Sequence, residues 1–188
     1  MTTRVDLLHT GYTSPNVAST VVLVRDADAR IVVDPGMVAD RSLILEPLAT
    51  LGLDATDVTH VFLSHHHPDH AMNVALFPNA EVVDFWARYI GDRWLDHEGD
   101  GHRLSPRARL ILVPGHTEED AALIVDADDA RYAMTHAWWR PDGPVVDPLA
   151  WDQARLERSR ERILEVADVI VPGHGAPFPA AEAPGRGR

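Results

Sequence analysis

The stretch Thr59-His60-Val61-Phe62-Leu63-Ser64-His65-His66-His67-Pro68-Asp69-His70 decides the reading of this chain. Residues 59–63 form a short apolar run suited to a buried strand, and Pro68 breaks any regular continuation. The strand therefore delivers three imidazoles and a carboxylate, those of His65, His67, Asp69 and His70, into one loop. Imidazole nitrogen and carboxylate oxygen are ligands of zinc and related divalent ions, and four such groups so close together point to a metal site.

Upstream, residues 5–9, 20–24 and 31–33 read as strands, the last two joined by the polar turn at 26–29. Residues 41–51 place Leu43, Ile44, Leu48 and Leu51 on one helical face, and Gly52 supplies the stop. Downstream, 81–84 reads as a strand, 85–90 as a helix, and 109–113 as a strand ending in Pro114-Gly115-His116. A second hairpin, 121–125 with 131–135, ends at His136. A charged helix spans 151–166, and the strand 169–171 runs into Pro172-Gly173-His174-Gly175. Four strand ends thus carry histidines. Hairpins early and late, with a helix after each half, predict an α/β chain of two sheets packed face to face with helices outside. Strand ends on one edge of such a pair converge, so residues distant in sequence can share a cleft. One domain is expected over 1–179, with the Pro-, Gly- and Ala-rich residues 180–188 as a disordered tail.

Composition narrows the chemistry. The 188 residues are 45% hydrophobic and 24% charged, values of an ordinary globule. No cysteine occurs, which excludes disulfides, thiolate zinc sites and cysteine nucleophiles. The net charge of -12 opposes binding to polyanions, so nucleic acid is not an expected partner and a small-molecule substrate is. Arg103, Arg107 and Arg109 read as a solvated strand edge, with a single phosphate or carboxylate as the alternative use. The first six residues have neither a basic start nor an apolar run, and no stretch approaches the about 18 apolar residues that span a bilayer, so a cytoplasmic protein without membrane contact is expected. His9, His60, His97 and His102 read as surface or hydrogen-bonded residues.

The spacing His65-x-His67-x-Asp69-His70 after a strand, followed by lone histidines at later strand ends, resembles the metallo-β-lactamase superfamily over nearly the whole chain. The resemblance implies a four-layer αββα sandwich of two mixed β-sheets with helices outside. It implies one metal site at His65, His67 and His116 and a second at Asp69, His70 and His174. Zinc is the expected ion, as one or two per chain, with iron or manganese as alternatives. His66 matches no ligand position and is expected to face away. Glycine beside His116 and His174 lets the backbone turn tightly enough to aim the imidazole. Asp34 reads either as a supporting acid for a ligand imidazole or as a turn acid bonded to its own backbone.

The pattern breaks at His136, where the family has an aspartate touching both metals. A neutral imidazole offers one lone pair to one ion, and the substitution removes a negative charge from between two cations. Unequal metal occupancy is therefore expected, with His136 ligating one ion or withdrawing from both; a core hydrogen-bonding histidine is the other reading. Trp138 and Trp139 would supply an apolar wall or core packing. The activity implied is hydrolysis of a small ester, thioester or lactone by a metal-activated hydroxide, with Asp69 accepting a proton, since the length leaves no room for the added domains of larger relatives. The alternatives are a mononuclear iron oxygenase of the persulfide dioxygenase type and a metal-binding member weakened by His136.

Overall fold

The chain alternates short β-branched runs with polar turns, and the structure, a computed structural model describing residues 2–185, folds these runs into two sheets. The first holds β1 (Arg4–His9), β2 (Val21–Asp26), β3 (Ala29–Val33), β4 (His60–Phe62), β5 (Glu81–Val83), β6 (Ala87–Ile90) and β7 (Arg93–Asp96), adjacent in that order. The second runs β13 (Phe178–Pro179), β12 (Val169–Val171), β11 (Arg131–Met134), β10 (Ala121–Asp126), β9 (Ala108–Leu112), β8 (Arg103–Ser105). Both are mixed: β3, β4 and β5 pair in parallel, as do β11 and β12, and the other pairs are antiparallel.

Strand alternation divides the core into three layers. Val22, Val24, Ile31, Val33 and Phe62 meet Leu110, Leu123, Val125 and Met134 between the sheets. On the outer face of the first sheet, Leu23, Val32 and Val61 pack with Ile44 and Leu48 of α1 (Ser42–Thr50). The one-turn α2 (Pro68–Ala71) follows β4. On the outer face of the second sheet, Ile111, Ala122, Ile124 and Trp138 pack with Leu156 and Ile163 of α3 (Gln153–Leu164). The arrangement is an αββα sandwich. No helix among the described residues is long and apolar enough to cross a membrane.

Three expectations need correction or refinement. The segment 85–90 is not helical: β6 pairs with β5 and with β7. The Asp84 carboxylate accepts the N–H groups of Trp86 and Ala87, fixing a turn that starts β6. Ile90 opposes Arg93 across the two residues Gly91 and Asp92, with Gly91 at φ 62°, a two-residue hairpin connection that glycine favours. On α1, Ile44 and Leu48 are fully buried while Leu43 is 39% exposed, so the apolar face is narrower than the spacing implies. From 180 to 185 the chain packs against the body of the fold: Ala180 and Ala183 are buried, and Pro184 O accepts the Trp138 Nε1–H at 3.3 Å. Residues 186–188 of the expected tail lie outside the described residues.

Arg103, Arg107 and Arg109 behave as a strand edge. Arg107 pairs with Asp128 at 2.8 Å, Arg109 with Asp126 at 3.6 Å, and Arg103 donates to Pro106 O at 2.7 Å.

Leu156 has no exposed surface and joins α3 to the second sheet. Leu156→Ala is expected to cost about 2–5 kcal/mol, as buried leucine truncations do. Urea unfolding should show a lower midpoint with an unchanged m-value.

Candidate metal centre

Seven predicted site residues meet where strand ends of both sheets converge. His65, His67, Asp69 and His70 come from the segment after β4, His116 from the loop after β9, His136 from the end of β11 and His174 from the end of β12. Gly36 makes the approach of the first segment possible: a Cβ there would stand 1.6 Å from the carbonyl oxygen of Asp69. Met37 N–H donates to that same oxygen at 3.2 Å, which anchors the histidine segment to the end of β3.

The hydrogen-bond network fixes how each imidazole is protonated. Asp34, at φ 49°, accepts from Ser64 N and from Ser64 Oγ at 2.7 Å each and from His70 Nδ1 at 2.9 Å. Because the Ser64 hydroxyl proton points at Asp34, Ser64 Oγ accepts from His65 Nδ1, 3.0 Å away. His116 Nδ1 donates to Asp147 Oδ2 at 2.7 Å, and His174 Nδ1 donates to Ala18 O at 2.8 Å. All four rings thus carry their proton on Nδ1 and turn a bare Nε2 lone pair inward.

Those lone pairs face other imidazole nitrogens and the Asp69 carboxylate. His65 Nε2 and His116 Nε2 lie 3.0 and 3.2 Å from the same atom, His67 Nδ1. His174 Nε2 lies 3.2 Å from His136 Nε2 and 3.5 Å from Asp69 Oδ2, and His70 Nε2 lies 3.7 Å from Asp69 Oδ2. His70 Nε2 and His136 Nδ1 are buried with no hydrogen-bond partner. One proton on His67 cannot satisfy two acceptors, so the cluster lacks positive charge. Protons do not supply it: burial, followed by the crowding of imidazoles, holds His65 and His136 well below the usual histidine range. Burial and neighbouring His70 bring His174 down to about 4.

A divalent cation fits this donor set. Two ligands about 2.0–2.1 Å from a tetrahedral ion stand about 3.3–3.4 Å apart, close to the 3.0–3.7 Å separations found here. Two groups each bring three imidazole nitrogens within 4.8 Å of one another: His65, His116 and His136, and His70, His136 and His174. His136 is common to both, so it has not withdrawn from the centre.

The neighbouring predicted residues sort clearly. Asp34 is a supporting acid. His66 turns away, bonding Asp84 Oδ2 at 2.9 Å, and that bond lifts its pKa despite burial. Trp138 is core, whereas Trp139 stands edge-on to His116 with ring centroids 6.1 Å apart. His60 and His97 are hydrogen-bonded and His102 stacks on His97, but His9 leaves Nε2 buried without a partner. Sequence reading missed Asp147 and Ser64. Asp147 is buried in a loop 31 residues from His116 and also accepts Trp139 Nε1–H at 3.0 Å. Ser64 was visible as the residue before His65, and only a register at the β3 and β4 ends reveals its use.

Two outcomes follow from the network. Asp147→Asn removes the charge behind His116 and is expected to weaken metal binding about 10–100-fold, read by competition with a chromogenic chelator. In metal-free protein, His65, His136 and His174 bind fewer protons when folded than when unfolded, so stability is full above the unfolded histidine pKa near 6.5 and is lost as pH falls toward about 4. The melting temperature of chelator-stripped protein should drop steadily from pH 7 to pH 5.

Comparison with known proteins agrees with this geometry. The family model described as the metallo-beta-lactamase superfamily matches residues 15–175. Human metallo-beta-lactamase domain-containing protein 1 is 39% identical over 158 residues, covering 79% of this chain and 59% of its own, so the chain spans about three-fifths of that relative. A hydroxyacylglutathione hydrolase of Stenotrophomonas maltophilia is 32% identical over 108 residues, 54% of this chain and 39% of its own. Among solved structures, a metallo-beta-lactamase family protein of Thermus thermophilus superposes with TM-score 0.72 at 21% identity, covering 95% of this chain and 75% of its own. AidC, a dizinc quorum-quenching lactonase, superposes with TM-score 0.61 at 19% identity, covering 83% and 72%. The histidine-lined seam between two sheets and the family match over 15–175 lead to one conclusion: the chain belongs to the metallo-beta-lactamase superfamily.

Proposed function

We propose that this protein is a metal-dependent hydrolase of a small ester, thioester or lactone, with zinc as its ion. The observation that carries the reading is the convergence of bare Nε2 lone pairs from His65, His70, His116 and His174 on buried points. A set of imidazole nitrogens with a single carboxylate suits zinc, and such an ion, when bound, would acidify a coordinated water to a pKa of about 7 and polarise a carbonyl.

The chain's own groups supply the rest. Asp147 and Ser64 hold His116 and His65 in the tautomer that ligates. Asp69 is the carboxylate inside the cluster, and it accepts the proton of the attacking water. Trp139, beside His116, offers an apolar face to the substrate's carbon chain, and the Trp151 N–H bonds His116 O at 2.9 Å, which keeps the half-exposed Trp151 next to the ligand loop. At the edge of the site buried Asp84 holds His66 at 2.9 Å, and Glu119 lies 3.7 Å from the same ring. A lactonase and a hydroxyacylglutathione hydrolase among the similar proteins support an acyl substrate.

A panel of esters, thioesters, lactones and phosphodiesters, assayed with zinc-loaded wild-type protein and with His116→Ala, tests the reading. Turnover of an acyl compound should fall about 100-fold or more in the variant, since losing a metal ligand forfeits several kcal/mol of transition-state stabilisation. Equal rates in the two proteins, or turnover of phosphodiesters alone, would count against it.

A further inference from the structure

His136 stands where the family resemblance calls for an aspartate shared between two ions; it lies within 4.8 Å of His65 and His116 as well as of His70 and His174, and its shortest nitrogen contact points to one side. Its Nε2 is 3.2 Å from His174 Nε2, a nitrogen whose lone pair points inward because its Nδ1 proton goes to Ala18 O. The ring is held there from behind. A Cβ on Gly173 would fall 2.2 Å from His136 Cδ2, so the ring lies flat on a backbone that only glycine can provide. Asp69 Oδ2, His70 Nε2 and His174 Nε2 form the remaining corners, at separations of 3.5 and 3.7 Å from the carboxylate oxygen. His65 Nε2 and His116 Nε2 each meet His67 Nδ1, at 3.0 and 3.2 Å; His136, within 4.8 Å of His65 and His116, makes its 3.2 Å contact with His174 instead.

We propose that His136, through Nε2, closes a four-ligand cation site with Asp69, His70 and His174, and that His65, His67 and His116 form a separate three-imidazole site with an open position. The two sites then differ in kind. A site saturated by four protein ligands has no place for water or substrate, whereas three ligands leave one. Three neutral imidazoles and a carboxylate leave a divalent ion with one net positive charge, against two for three imidazoles alone. The closed site therefore fills first, and it is the open one that meets substrate. The assignment rests on the hydrolase reading only in requiring that divalent cations occupy the cluster.

Cobalt(II) titrated into chelator-stripped protein, followed by visible absorption with and without azide, separates the two sites. The first equivalent should give an intense band of the tetrahedral type that azide leaves in place, and the second a band that azide shifts. In His136→Ala the first-equivalent band should become azide-sensitive. An azide-induced shift of the first-equivalent band in the wild-type protein overturns the assignment while leaving the hydrolase reading standing. So does a His136→Ala spectrum identical to wild type. Failure of the folded wild-type protein, checked by circular dichroism, to bind any cobalt removes both.

Discussion

An imidazole presents a lone pair to the centre only if its other nitrogen keeps the proton, and this fold secures that proton at His65, His70, His116 and His174 through Ser64, Asp34, Asp147 and Ala18 O. Every other property of the site follows from that constraint. The bare nitrogens are buried, so water does not satisfy them, and burial also keeps His65, His136 and His174 from taking up a proton. A cluster of this kind is costly to fold empty, and a bound cation removes the cost. The stability of the seam and its chemistry are one quantity seen from two sides.

The supporting groups are tied to the core rather than to one another. Asp34 ends β3 and takes Ser64 N–H at the end of β4, so the register of two parallel strands sets the His70 and His65 tautomers together. Asp147 is placed differently. Arg160, buried on α3, donates to the carbonyls of Ala137, Pro144 and Val145 and lies over the Trp138 ring, pinning the part of the loop that leads to Asp147. A guanidinium with its donors spent on backbone carbonyls anchors a long connection that has no regular backbone ladder of its own.

Much of this was legible in the sequence. The ligand-type residues, the strand that precedes them and the two-sheet architecture follow from β-branched runs ending in histidine. What escaped was set by long-range geometry. Nothing near Asp147 marks it as the partner of His116, because hydrogen-bond partners across a fold share no spacing. The segment 85–90 contains Phe85, Trp86, Tyr89 and Ile90, a pattern that also suits a strand, and the deciding feature was the Gly91-Asp92 turn after it. Residues 180–185 have the composition of a loose end, yet Pro184 O finds Trp138 Nε1, a partner 46 residues away. Composition describes what a segment can do without neighbours, and this one has them.

The centre draws on both halves of the sandwich. His65, His67, Asp69 and His70 belong to the first sheet's side, and His116, His136 and His174 to the second's. Backbone bonds also cross the gap nearby, from Ala121 N to Ser64 O and from Thr20 N to Gly173 O. Neither half owns a full set of nitrogens around the shared points. A cation seated there would be a rivet through two plates at one end, and the other end has its own clasp: Asp26, closing β2, accepts from Ser105 Oγ at 2.6 Å and Arg107 N at 2.8 Å on the β8–β9 hairpin, so the sandwich is fastened at both edges.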